Sequence, residues 1–177
     1  MTEQGPHRKL NVFFDVDNTL ILWNGRLRNH AREVFEELKQ AGHTIYIWSG
    51  VGIRRWDIKR HALDEFVTDY FIKPLERHHE RLEALGVPMV PDFVIDDHKT
   101  VVDAFGGYHV SDNAGPDDHE LLDVLAKINE FATLGDVEEP DEQAPAAAML
   151  ERARIAALLR AFTAQTHRGP APGRGAG

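Results

Sequence analysis

Short apolar runs rich in β-branched and aromatic residues alternate along this chain with segments of helical period. That alternation constrains the fold more than any other feature. The runs are Leu10–Phe14, Thr44–Trp48, Asp69–Ile72, Asp92–Ile95 and Tyr108–Val110. Amphipathic segments follow them at His30–Gln40, Gly52–Phe66, Leu75–Leu85, Thr100–Phe105 and Asp117–Phe131. Parallel strands cannot be joined by a tight turn and need a crossover, which the helical segments supply. The pattern predicts an α/β fold, a parallel sheet covered by helices on both faces. No segment repeats at a fixed period.

One connection departs from the alternation. After the first run comes Leu20-Ile21-Leu22-Trp23-Asn24-Gly25-Arg26-Leu27-Arg28. Asn-Gly between apolar residues predicts a β-hairpin with a type I′ turn, because both residues tolerate positive φ. The hairpin would stand beyond the C-terminal end of the first strand, the edge where open α/β sheets bind ligands. Asn29 then reads as the N-cap of the next helix.

Composition removes several function classes. With 42% hydrophobic and 28% charged residues, the 177-residue chain has the make-up of a globular protein. Its formal net charge of -9 argues against binding extended nucleic acid or an anionic membrane surface, since both need a positive field. The absence of cysteine excludes disulfides, thiolate metal sites and cysteine nucleophiles. No apolar run approaches the ~18–20 residues of a membrane span, and the polar N-terminus lacks a secretory pattern. A cytoplasmic protein without a membrane partner is expected.

The composition shifts after Leu134. Residues 9–134 are expected to form the main folded domain and 135–145 an acidic linker around Pro140. Residues 146–166 read as an amphipathic helix, with Ile155, Leu158, Leu159 and Phe162 on one face. The Gly/Pro/Arg-rich residues 167–177 are expected to be disordered. The helix either packs on the main domain or serves a dimer or partner contact.

The segment Phe13-Phe14-Asp15-Val16-Asp17-Asn18-Thr19 carries the clearest chemistry. An apolar strand ends abruptly in two aspartates two residues apart, and Asn18 marks a turn. Carboxylates so close repel unless a cation lies between them or one holds a proton. Either arrangement is useful: an oxygen-ligand metal site, or a nucleophile beside a general acid.

At this segment the chain resembles the haloacid dehalogenase superfamily of phosphohydrolases, whose first motif is D-x-D-x-T after an apolar strand. The other family motifs follow in order. Ser49-Gly50 ends the second strand, Lys73-Pro74 the third, and Asp96-Asp97 the fourth. Taken singly, Ser49 would read as a helix cap and Lys73 as a surface lysine. Two adjacent carboxylates closing a fully apolar strand are harder to attribute to folding, because burying them unpaired is expensive.

The resemblance implies a Rossmann-like five-stranded sheet and a two-step phosphoryl transfer. Asp15 would be the nucleophile and Asp17 the general acid and base, which favours hydrolysis over mutase or pump chemistry. Ser49, Gly50 and Lys73 would bind the phosphate. Mg2+ would be held by Asp15, the backbone carbonyl of Asp17, and Asp96. Asp97 would either ligate through water or orient Lys73. Thr19 would fix the loop. The gaps from Asp15 to Ser49 and from Ser49 to Lys73 are too short for a cap domain. A capless member is expected to act on a phosphorylated small molecule or an exposed phosphate on a macromolecule, with a homo-oligomer as one way to supply a lid.

Other residues have plainer readings. Most of the ten histidines are expected to be solvent-facing or satisfied in the core. His98 could face the site, Trp48 reads as core, and Trp23 as a gate or leaving-group contact. Arg54 and Arg55 could add positive potential, with a solvated helix face the simpler account. Two other functions remain: a non-catalytic binding module on the same fold, and a receiver-like phospho-aspartate domain. The latter places its acidic pair before the phosphorylated aspartate, the opposite of the order here.

Overall fold

The computed structural model describes residues 7–134, so the linker, helix and tail expected at 135–177 lie outside the described residues. Five strands form one parallel sheet: β1 (Asn11–Phe14), β2 (Thr44–Ser49), β3 (Val67–Ile72), β4 (Phe93–Asp96) and β5 (Gly107–His109). Their order is β3-β2-β1-β4-β5. The helices are α1 (Ala31–Gln40), α2 (Arg55–Arg60), α3 (Lys99–Phe105) and α4 (Glu120–Thr133). This is the expected Rossmann-like α/β architecture, with no folded cap between β1 and β3.

The central strand explains why its sequence is apolar without alternation. Val12 and Phe14 enter one apolar cluster, with Ile45, Ile47 and residues of α1 and α4. Phe13 enters the other, with Tyr46, Trp48, Phe71, Val94, Val101 and Phe105. A strand buried on both faces needs apolar residues at every position. On the second face the Phe13 ring lies 4.8 Å from Tyr46 and 4.9 Å from Trp48, and Trp48 lies 5.5 Å from Phe105. Such ring pairs add about 0.5–1.5 kcal/mol each beyond area burial. Helix α1 buries Ala31, Val34, Phe35 and Leu38, an i, i+3, i+4, i+7 stripe against the first face.

Four local expectations are corrected. The segment 75–85 is not an α-helix but a series of turns ending in a 3-10 turn, Glu83–Leu85. Leu82 is buried but Leu75 is exposed, so no continuous apolar stripe exists, and Arg77 takes φ 44°. Tertiary contacts hold this stretch instead: the His79 ring lies 4.5 Å from that of Phe105, and its Nε2 meets the Ala104 carbonyl at 2.7 Å. The segment 52–66 yields only the short α2 and a 3-10 turn, Asp64–Phe66, because Gly52 (φ 138°) and Ala62 (φ 52°) interrupt the helical path.

The hairpin is present, with Ile21 bridging Leu27 antiparallel. Its turn differs from type I′. The Gly25 amide donates to the Leu22 carbonyl and the Leu22 amide to the Arg26 carbonyl, so Trp23 and Asn24 are the central residues. Only Gly25 has positive φ, at 78°, which is the three-residue loop with a bulged glycine. Asn29 does not cap α1. Its Nδ2 donates to the carbonyls of Pro116 and Asp118, while His30 precedes the helix in a left-handed conformation without a side-chain cap. A tertiary tie between the α1 and α4 entrances thus replaces the local cap.

Candidate active site

Strand periodicity assembles the site. Side chains two residues apart on a strand share a face. Asp15 lies two residues beyond Phe13, Lys73 two beyond Phe71, and Asp96 two beyond Val94, and those three apolar residues occupy one cluster. The ladders carry the backbone onward. The Asp15 amide donates to the Ile95 carbonyl at 2.9 Å, and the Lys73 amide to the Ser49 carbonyl at 3.0 Å. Strand β1 has β2 on one side and β4 on the other, so the chain reverses its direction of winding here. The resulting crevice at the C-terminal strand ends is where open α/β sheets bind ligands.

The three charged groups touch. Lys73 Nζ donates to Asp15 Oδ1 at 2.8 Å and to Asp96 Oδ1 and Oδ2 at 3.1 and 2.9 Å. All three residues are buried. Thr19 Oγ1 donates to the other Asp15 oxygen at 3.2 Å, the loop-fixing role expected of it. One ammonium between two buried carboxylates leaves negative charge in excess. Burial, and then the Asp96 carboxylate, push Asp15 up to about 7 even though Lys73 opposes them. Burial likewise raises Asp96 above the ordinary carboxylate range. Burial works against the Lys73 ammonium, but Asp15 and Asp96 more than offset it and hold its pKa above the usual lysine value.

The remaining expected residues fall around this centre. Ser49 is buried at the tip of β2, and its Oγ accepts the Val51 amide at 3.3 Å. The nearest helix begins only at Arg55, so amides of the loop after Ser49, not a helix N-terminus, lie beside that hydroxyl. Gly50 packs under Leu75, where a Cβ would come within 2.6 Å of that leucine's Cδ2. Asp17 is half-exposed and ion-paired to Arg54, which also donates from Nε to Asp57 at 2.7 Å. Arg54 is therefore neither a free cation nor part of a solvated face. Only the short reach from α2 back to the loop after β1 reveals its role. Arg55 lies away from the centre, its guanidinium 4.4 Å from the centre of the Tyr70 ring.

Asp97 does not orient Lys73, which is held by Asp15 and Asp96. Its carboxylate instead meets His98 Nδ1 at 2.9 Å, and the His98 ring is largely exposed. The ligating atoms of Asp96, Asp97 and His98 lie within 4.8 Å of one another. Trp48 is wholly buried and belongs to the core, whereas Trp23 is 87% exposed on the hairpin. His43 is a satisfied core histidine that accepts the Leu10 amide at 3.1 Å. His30 and His119, far apart in sequence, meet at 2.9 Å.

A hard divalent cation fits this donor set. Asp96 and Asp97 supply carboxylate oxygens beside the His98 nitrogen, and Asp15 and Asp96 are buried with a single ammonium between them to balance them. No helix among the described residues is long and apolar enough to cross a membrane.

Residues 12–69, running from β1 into β3 and including Asp15, Asp17 and Ser49, match the family described as haloacid dehalogenase-like hydrolase. No curated protein matches the chain significantly. Among solved structures, an uncharacterized protein from Listeria monocytogenes serotype 4b is 14% identical, with a TM-score of 0.48 over 69% of this chain and 98% of its own. The core domain of a Streptococcus pneumoniae TIGR4 protein, provisionally assigned as a phosphoglycolate phosphatase, is 16% identical. Its TM-score is 0.35 over 84% of this chain and 96% of its own. Over residues 12–69 the chain is similar to the haloacid dehalogenase-like hydrolases, and the parallel sheet brings Asp15, Lys73 and Asp96 together at its winding reversal.

Proposed function

We propose that the protein is a Mg2+-dependent phosphomonoesterase that works through an aspartyl-phosphate. The observation that carries this reading is the Lys73 ammonium bonded at once to Asp15 and Asp96. That triad is costly to bury and serves no evident purpose in holding the sheet together.

In this reading Asp15 attacks the phosphorus in line with the ester bond. The new bond joins an Asp15 oxygen to phosphorus as the bond to the leaving oxygen breaks. Asp17 gives its proton to that oxygen, and the alcohol departs. Water then attacks the phosphorus and passes a proton to Asp17, which frees Asp15 and releases inorganic phosphate. Thr19 holds one Asp15 oxygen and Lys73 the other, so the nucleophile is fixed before substrate arrives. The Ser49 hydroxyl, the amides after it and Lys73 are the donors available to the equatorial phosphoryl oxygens. Asp15, the Asp17 carbonyl and Asp96 would hold Mg2+, and Asp97 would ligate it through water. The ion supplies positive charge that lets a phosphate dianion approach Asp15.

The test is hydrolysis of a panel of sugar, nucleotide, aryl and peptide phosphates by purified protein with Mg2+. Activity that requires the ion and disappears in Asp15→Asn is the expected result. A folded protein that cleaves none of the panel would refute it.

A further inference from the structure

A cavity of about 240 Å3 opens beside Asp17, between the hairpin and α2. Asp17, Ile21, Leu22 and Trp23 line one side, and Arg54, Asp57 and Arg60 the other. Its place decides its contents. The phosphoryl group belongs at Asp15, and Asp17 is the group proposed to protonate the departing oxygen. Whatever that oxygen carries therefore enters this cavity.

The lining then decides the chemistry. Ile21 and Leu22 are buried and supply an apolar floor. Trp23 lines the cavity with an indole that is 87% exposed, a ring available for stacking. The cations do not favour a second anion: Arg54 is already paired with Asp17 and Asp57, so the carboxylates balance the two arginines. The volume exceeds the roughly 150 Å3 of a cavity that holds a benzene ring, so one ring and a short link fit. We infer that the leaving group is a single planar ring, joined to the ester oxygen directly or through one carbon, and stacked on Trp23. This rests on the phosphomonoesterase reading and adds its substrate class.

The test compares benzyl phosphate with cyclohexylmethyl phosphate, alike in carbon count and in the acidity of the released alcohol but differing in flatness. Methyl phosphate serves as the ringless reference. The wild type is expected to favour benzyl phosphate in kcat/KM by about three- to tenfold, as an aromatic stack allows. Trp23→Ala should lose that preference, bringing kcat/KM for benzyl phosphate down to that for cyclohexylmethyl phosphate. Trp23→Phe should keep most of it, which separates stacking from bulk. Hydrolysis of all three esters with no preference for the ring, or a preference that survives Trp23→Ala, would overturn the inference and leave the phosphatase reading intact. No hydrolysis of any ester would overturn both. Equal dependence on Trp23 for a nucleoside 5′-monophosphate would overturn the single-ring assignment.

Discussion

Replacing Asp15 by Asn should abolish activity and yet stabilise the metal-free protein at neutral to alkaline pH. Burial and Asp96 raise the Asp15 carboxyl from 3.8 to about 7. A group raised in the folded state binds more protons there than in the unfolded chain. Its contribution to stability is therefore fully present below about pH 4 and is lost as pH rises to about 7. A gap of roughly three pH units corresponds to about 4 kcal/mol at 1.36 kcal/mol per unit. The side chain is 3% exposed, so little of this is screened by solvent. Asn has nearly the same shape, cannot ionise, and leaves Lys73 to Asp96 alone.

The stability of Asp15→Asn relative to wild type should thus be near zero around pH 4 and rise to at most ~4 kcal/mol by pH 8, which is about 10 °C in Tm. Thermal unfolding in chelator across that range measures it. Adding Mg2+ at pH 8 should narrow the difference. The wild type would gain about 2.7 kcal/mol at a hundredfold excess over Kd, and the variant, short of one ligand, would gain less. An Asp15→Asn protein less stable than wild type at pH 8, or a difference that does not change with pH, would refute the claim that the site carries unbalanced negative charge.

Two further substitutions probe the same framework. Lys73→Met removes the sole ammonium facing two buried carboxylates and should cost about 3–5 kcal/mol in urea unfolding at pH 8, with the loss shrinking toward pH 5 as the carboxyls take up protons. Gly107→Ala should cost ~3 kcal/mol or more by the same assay. A Cβ there would lie 1.9 Å from the Val94 carbonyl oxygen, and φ is 150°, so neither rotation nor a side-chain shift relieves it.

The elements legible in the sequence were those fixed by short-range chemistry. All five strands lie within two or three residues of the apolar runs that mark them, because burial on both faces demands continuous apolar stretches. Asp15, Asp17, Ser49, Lys73 and Asp96 each stand at a strand end, and once the strand order is known period two brings three of them together. What escaped depends on contacts distant in sequence. Arg28 has a fully buried side chain and donates to Asp118, Glu120 and the carbonyls of Asn18 and Ser111, tying the loop after β1 to the entrance of α4. Nothing local distinguishes it from a surface arginine. The Asp17–Arg54 pair and the His30–His119 contact are likewise visible only in three dimensions. The helix expected at 75–85 failed for the converse reason: helical residues were present, but of its leucines only Leu82 and Leu85, at the far end, reach the core, and Leu75 stays exposed.

The acidic centre has a thermodynamic logic that the fold alone does not supply. Three apolar side chains in place of Asp15, Lys73 and Asp96 would extend the cluster around Phe13, Phe71 and Val94, and such exchanges are commonly neutral or stabilising. The sheet therefore holds these charges against its own stability. Their imbalance, two carboxylates to one ammonium, is relieved when a proton or a cation arrives, and in the proposed reaction a phosphoryl group would approach Asp15 only after that relief. A winding reversal between β2 and β4 brings the charges from three separate strands to one crevice. The hairpin and α2 line a cavity at that same edge, beside Asp17, so the proposed reaction would need no separate cap to place its leaving group.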